Sequence, residues 1–264
     1  IGDMMTLLTE PIQVDYRTVR TSSGIIGESD TWYTTTEWKW QLPMQYFTLR
    51  LAASHREDKE NTLNSQSVSG IYVRNTPLLY DSRSRSTSFS AFVTKSIPTI
   101  FSKFSADGSF SFGSSEQAVS GTIIDSRLSN YTLHGNTTIM PVSWLELRYD
   151  INYRWTCSRY SEKRYTTTSL THSGAVHIFP IEALDVSLGY DHVRSQLFND
   201  QYKYMSLFNA SAQYKWKRIV LRLELDNLLN QRHYAYTIIN GINTYTYDYD
   251  LCGRTILLRL ILKL

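Results

Sequence analysis

The chain has 264 residues, a formal net charge of +3, and 19 Tyr, 10 Phe and 6 Trp beside abundant Ser and Thr. Its basic residues are scattered singly, which lacks the footprint of a nucleic-acid binder. Arg259 interrupts the most apolar stretch, so no segment reaches the roughly 18 to 20 apolar residues of a spanning helix. A bilayer, if one is crossed, is crossed by strands. Composition does not shift along the chain, which points to one domain over residues 1–264.

Residue Ile1 is not followed by a basic-then-apolar leader, so either a leader has been removed or the chain belongs to a longer product. The spacing then predicts about twelve strands, near 5–17, 31–41, 44–57, 86–97, 101–113, 129–140, 144–157, 166–179, 183–194, 203–216, 219–227 and 254–264. The first is interrupted by Pro11 and alternates weakly. In the third, Phe47, Leu49 and Leu51 alternate with polar positions that include Arg50. The seventh has no error over eleven residues: Leu145, Leu147, Tyr149, Ile151, Tyr153 and Trp155 alternate with Glu146, Arg148, Asp150, Asn152 and Arg154. In the last, Ile256, Leu258, Leu260, Leu262 and Leu264 share one side while Thr255, Arg259 and Lys263 take the other. A period of two places alternate side chains on opposite faces of a strand.

Pro43, Pro98, Pro141 and Pro180 lie between successive runs and mark short turns. Segments 58–85, 114–128 and 228–252 read as long polar loops at the other end. Runs of about 9 to 13 residues exceed the five or six of a soluble sandwich strand and suit tilted strands crossing hydrocarbon. Trp38, Trp40, Trp144 and Trp216 cluster beside the short turns, while Tyr153, Trp155, Tyr190, Tyr204 and Tyr234 fall at the opposite ends. Two aromatic girdles, with short turns on one side and long loops on the other, are the expectation for a transmembrane antiparallel up-and-down β-barrel.

The polar positions Arg50, Glu146, Arg148, Asp150, Arg154, Arg222 and Glu224 are then lumen-facing charges, read as a cross-strand ladder that hydrates the wall. The six histidines are dispersed without metal-ligand spacing, and no nucleophile elbow or phosphate loop is present. The expectation is no enzyme, no metal and no cofactor. Cys157 and Cys252 fall on well-separated strands and are expected to be unpaired. Tyr236, Tyr245, Tyr247 and Tyr249 form the best substrate-binding candidate, on an extracellular loop. An equal reading makes them an extension of the flanking strands.

The segment containing Asn227, Leu228, Asn230 and Tyr234 resembles the N-L-F-N-x-x-Y signature that ends the penultimate strand of TonB-dependent outer-membrane receptors. Gly253 and Arg254 resemble their P-G-R element opening the last strand. Leu229 stands where that family has Phe, and Cys252 where it has Pro. The resemblance implies a 22-stranded barrel with an N-terminal plug, of which this chain holds the C-terminal barrel portion without the plug. It implies location in the outer membrane of a Gram-negative bacterium and import of a scarce solute of the siderophore, vitamin or glycan class. The implied partners are the lipid bilayer, the missing N-terminal strands and plug, and an inner-membrane energy-coupling complex acting through that plug. The alternative is a self-contained twelve-stranded barrel acting as a passive pore or surface anchor.

Overall fold

The computed structural model describes residues 11–262, apart from 15, 17, 22–23, 70–71, 120, 198–199 and 241–242. Two short strands, β1 (Ile12–Gln13) and β2 (Thr18–Arg20), precede a long meander. It runs through β3 (Ser29–Leu42), β4 (Phe47–Ser69), β5 (Tyr72–Ile97), β6 (Ser102–Val119), β7 (Thr122–Val142) and β8 (Leu145–Tyr160). It continues with β9 (Lys163–Ile181), β10 (Leu184–Gln196), β11 (Tyr202–Trp216) and β12 (Ile219–Asp226). A separate hairpin, β13 (His233–Asn240) and β14 (Asn243–Asp250), intervenes before β15 (Thr255–Leu262), which pairs with β12. Each long strand lies antiparallel beside its chain neighbour, giving an all-β barrel wall. Among the described residues no pairing joins β3 to β15.

Register sorts the side chains into two faces. Rows such as Leu51, Ala91, Gly108, Leu133 and Tyr153 run straight across five strands. On that same face Ile256, Leu258, Leu260 and Leu262 are 73%, 65%, 61% and 63% exposed. A soluble protein rarely shows a contiguous apolar surface of more than a few hundred Å2. The buried apolar side chains among the described residues are few and mostly small, with no second layer over the apolar face. Lipid is the solvent that such a face requires, and a strand ladder satisfies the backbone there.

The tight turns follow from local chemistry. Pro43–Gln45 and Pro98–Ile100 are single 3-10 turns with proline at the start, where its missing N–H is not needed. Each closes on an aromatic residue in the left-handed region, Tyr46 (φ 50) and Phe101 (φ 43), whose N–H donates to the proline carbonyl. Pro141 and Pro180 instead sit at strand ends beside register shifts. Trp38, Trp40, Trp144 and Trp216, each about half exposed, lie at this end, and the Trp38 and Trp40 rings stack at 6.4 Å.

Thirteen described strands of one sheet, β1 to β12 and β15, fit the expected count of about twelve. Two details need correction. Among the described residues of the expected first strand only Ile12–Gln13 form a strand, and residues 5–10, 15 and 17 lie outside the described residues. Segments 58–85 and 114–128 are not loops. They extend β4 and β5 to 23 and 26 residues and carry the β6–β7 hairpin outward. Polar side chains stand on both faces there, with Leu63 and Ala118 buried, which erases the alternation without weakening the ladder. Above a bulge between Glu60 and Thr62, the β4–β5 arm leans across to pair Ser65 and Gln66 with Ala118 and Val119.

The two faces predict unequal responses to charge. Leu188 lies on the apolar face between Val176 and Ala210, whereas Ser173 on the polar face lies between Asp150 and Asp191. Leu188→Arg is expected to destabilise the wall in phospholipid vesicles by about 2 to 4 kcal/mol. Ser173→Arg is expected to leave the urea midpoint nearly unchanged. Equal midpoints for the two variants would contradict the lipid-facing assignment.

Candidate functional site

The charged positions expected in the lumen share the polar face by register. The Arg50 guanidinium lies over the Phe92 ring at 5.5 Å. Glu146 pairs with Arg148 on its own strand. Glu224 receives Arg222 at 2.7 Å and Arg259 at 3.7 Å. Asp150 joins a bridge that spans three strands: His134 Nε2 is 2.7 Å from Asp150, and His134 Nδ1 is 2.8 Å from Asp107. These contacts read as a ladder that staples the wall, each worth a fraction of a kcal/mol up to about 1. Arg154 differs, because it lines a cavity.

That cavity depends on a knot at the end of β12. Asn227 is buried and left-handed (φ 52), a conformation its short amide side chain tolerates. Its Nδ2 donates to the carbonyls of Gln231 and Cys252, both at 2.8 Å, and its Oδ1 accepts from the Gln231 N–H at 2.8 Å. Its own N–H donates to Asn209 Oδ1 at 2.9 Å, and the Leu228 N–H to the Phe208 carbonyl. Asn230, also left-handed (φ 56), accepts from the Arg254 N–H, and Arg254 Nε donates to the Leu228 carbonyl at 2.8 Å. A Cβ on Gly253 would meet the Arg232 guanidinium at 2.7 Å. Asn227, Leu228, Asn230, Gly253 and Arg254 therefore form one clasp that ties the end of β12 to the start of β15. Arg254, which by strand alternation points outward, spends its guanidinium on this turn.

The clasp sends the intervening residues away from the wall strands as the β13–β14 hairpin, which touches β8 to β11. The Tyr-rich segment is thus a separate hairpin and not an extension of β12 and β15. Residue Tyr234, expected in the second girdle, also belongs to the hairpin, whereas Tyr153, Tyr190 and Tyr204 stay exposed on the apolar face. Across the hairpin Tyr236 faces Tyr247 and Tyr234 faces Tyr249. Ring centroids lie 5.1 Å apart for Tyr236 and Tyr247 and 6.0 Å for Tyr236 and Tyr249. Tyr245 lies opposite Ile238 and is about half exposed. On the other side of β13, Ala235 and Ile239 are buried. His233 and Asp250 close the base at 2.7 Å.

Between hairpin and wall lies a cavity of about 500 Å3. Asn130, Thr132, Arg154 and Ser169 line it from the wall, and Tyr234 and Tyr236 from the hairpin. Hydroxyls, amides, one guanidinium and aromatic faces suit a polar organic solute with flat or ring-shaped parts. No group of His, Cys, Asp and Glu among the described residues has the arrangement of a metal site. Cys157 and Cys252 are free thiols. Apart from Arg154, the wall lining and the His134 bridge escaped sequence reading, because histidines and hydroxyls distant in sequence meet only through strand register. The signal available was arithmetic: residues 107 and 134 are symmetric about the turn near 120.

Two outcomes follow. Loss of the buried Asn227 amide is expected to cost about 2 to 3 kcal/mol, summed over its hydrogen bonds. Limited proteolysis of Asn227→Ala should cut within 231–250 faster than in the unaltered protein. The hydrogen bond that the Tyr236 hydroxyl donates to Tyr249, then loss of water and the neighbouring tyrosine charges, push the Tyr236 phenol from 10.0 up to about 12. A raised phenol contributes stability that is present below about pH 10 and lost as pH rises through about 12. In ultraviolet phenolate titration, Tyr249→Phe should remove this late-titrating group.

No protein-family model matches the chain, and no curated protein matches it in sequence. Among solved structures it is similar to the FrpB iron transporter of Neisseria meningitidis (F3-3 variant). The identity is 11% and the TM-score 0.51, over 81% of this chain and 37% of that one. A second match is the ferric yersiniabactin uptake receptor FyuA of Yersinia pestis, at 10% identity and TM-score 0.48, over 88% of this chain and 42% of that one. The chain thus spans about two fifths of the length of these structures or slightly less. At 11% identity the likeness to FrpB speaks to fold alone: this chain shares the antiparallel strand-wall fold of that transporter.

Proposed function

We propose that this chain is the C-terminal wall of a TonB-dependent receptor that imports a scarce solute across the outer membrane of a Gram-negative bacterium. The observation that carries the reading is the clasped hairpin. A tyrosine-bearing hairpin held across the polar face, over a cavity lined by hydroxyls and Arg154, is a binding feature that an open passive pore has no use for. In this reading the polar face is the lumen wall and the apolar face meets the bilayer.

Among the described residues the outer edges of β3 and β15 are unpaired, which supports the same reading. An unpaired strand edge in hydrocarbon costs several kcal/mol per unsatisfied group, so further strands complete the wall. Those strands and a plug would come from the rest of the protein, and the plug would couple to an inner-membrane energy-transducing complex. The solute belongs to the siderophore, vitamin or glycan class. FrpB is an iron transporter, which makes chelated iron the first solute to test.

The discriminating experiment is uptake of labelled solutes by cells expressing the intact protein, with and without an uncoupler of the proton-motive force. Energy-dependent accumulation that an uncoupler abolishes is the expected result. Combined Tyr236→Ala and Tyr247→Ala should lower solute affinity about tenfold, the order of one lost aromatic contact set. Uncoupler-insensitive flux, with discrete channels in planar bilayers, would instead establish the passive pore.

A further inference from the structure

The guanidinium groups of the polar face are used differently at its two ends. Toward the tight turns Arg148 pairs with Glu146, Arg222 and Arg259 share Glu224, and Arg50 lies over the Phe92 ring. Arg154, six residues beyond Arg148 on β8, is exposed, and among the described residues it forms no ion pair. It lines the cavity under the hairpin.

Register surrounds Arg154 with hydroxyls. One lateral row across β5 to β10 reads Ser90, Ser109, Thr132, Arg154, Ser169 and Ser195. Thr132 and Ser169 stand directly opposite Arg154 on either side, a relation that places Cβ atoms about 4.5 to 5.5 Å apart. The Ser109 and Thr132 hydroxyls lie 2.5 Å apart, and one proton of that pair is left to donate elsewhere.

The acids of this region are used or lie outside the cavity. Asp107 and Asp150 are held by His134, and Asp191 shares the row of Asp150, nearer the tight turns. Asp200 accepts from Gln196, and on the hairpin Asp250 is paired with His233. Asp248 is exposed and is not part of the lining. Among the described residues no Asp or Glu lines the cavity. A concave lining with one fixed cation, many hydroxyl donors and no carboxylate attracts an anion and repels a cation, more strongly as the hairpin excludes water. The flat guanidinium fork also matches the two oxygens of a carboxylate.

We propose that Arg154 makes this cavity selective for an iron chelate of net negative charge. Arg154 holds one peripheral oxyanion of the chelate, and the hydroxyls of Thr132 and Ser169 donate to the same group. The identity of the solute as an iron chelate rests on the import reading above, whereas the charge preference rests on the lining.

The test uses the intact protein, purified and also expressed in cells, with three radiolabelled chelates of different net charge: anionic ferric dicitrate, uncharged ferrichrome and cationic ferrioxamine B. The purified protein is expected to bind the anionic chelate at least tenfold more tightly than the other two, with an affinity that falls as salt is added. R154Q should abolish the preference and flatten the salt dependence. R154K should keep the salt dependence and lose affinity several-fold, because an ammonium group lacks the fork. Arg154 pairs with no acid of the wall, so the thermal midpoint of R154Q should match that of the unaltered protein. Preference for the uncharged or cationic chelate, unchanged binding by R154Q, or binding of none of the three would each overturn the proposal. Uncoupler-sensitive uptake without charge preference would remove the role of Arg154 and leave import standing. Anion-selective binding with uncoupler-insensitive flux would do the reverse.

Discussion

Every backbone N–H and C=O that enters hydrocarbon must find a partner within the protein, and the wall is the consequence of that requirement. A helix would satisfy it alone, but no described helix is long and apolar enough to cross a membrane. Strands satisfy it only through neighbours, so each long strand here lies beside the next one in the chain, joined by turns of a few residues. Because a strand sends alternate side chains to opposite faces, the same ladder that satisfies the backbone separates two solvents. Leu188 and Val186 then meet lipid while Asp185 and Ser187 meet water.

The ladder also explains where chemistry gathers. Distant residues become neighbours in rows, and a row acquires properties that no single strand has. Asp107, His134 and Asp150 form a bridge across three strands on the polar face. Arg127, Arg159 and Arg164 form a concentration of like charge on the other. The first is self-satisfied and reads as a staple. The second is open to solvent, with Asp125 in the same groove as Arg127 and Arg159. The clasp around Asn227 works differently. It uses one buried amide to interrupt the ladder, so that β13 and β14 leave the wall and cover the polar face.

Much of this was legible in the residues. The unbroken alternation from Leu145 to Trp155 located β8 and sorted its charges, and the tryptophans beside Pro43 marked one end of the wall. The motif around Asn227 and Arg254 pointed to the junction of the last two wall strands. Legibility failed where both faces meet water. Residues 58–85 read as loop because Ser, Arg and Asp alternate with one another, yet they form paired strands far longer than a membrane needs. Alternation carried back from β15 would point Arg254 outward, but it precedes the strand and its Nε donates to the Leu228 carbonyl.

By itself the sequence determined the class of the structure, the identity of each face and the position of the tight turns. Those properties follow from period-two alternation, strand length and proline, all of which are local. Only the tertiary structure decided which residues stand opposite one another, because register is a relation between strands and a shift of one residue exchanges the faces. It decided that Tyr236 faces Tyr247 on a hairpin folded over the polar face, that His134 meets two carboxylates, and that three arginines share a row. Each depends on how one strand is registered against another, or on the clasp that redirects one of them, and the pattern within a single strand does not record that register.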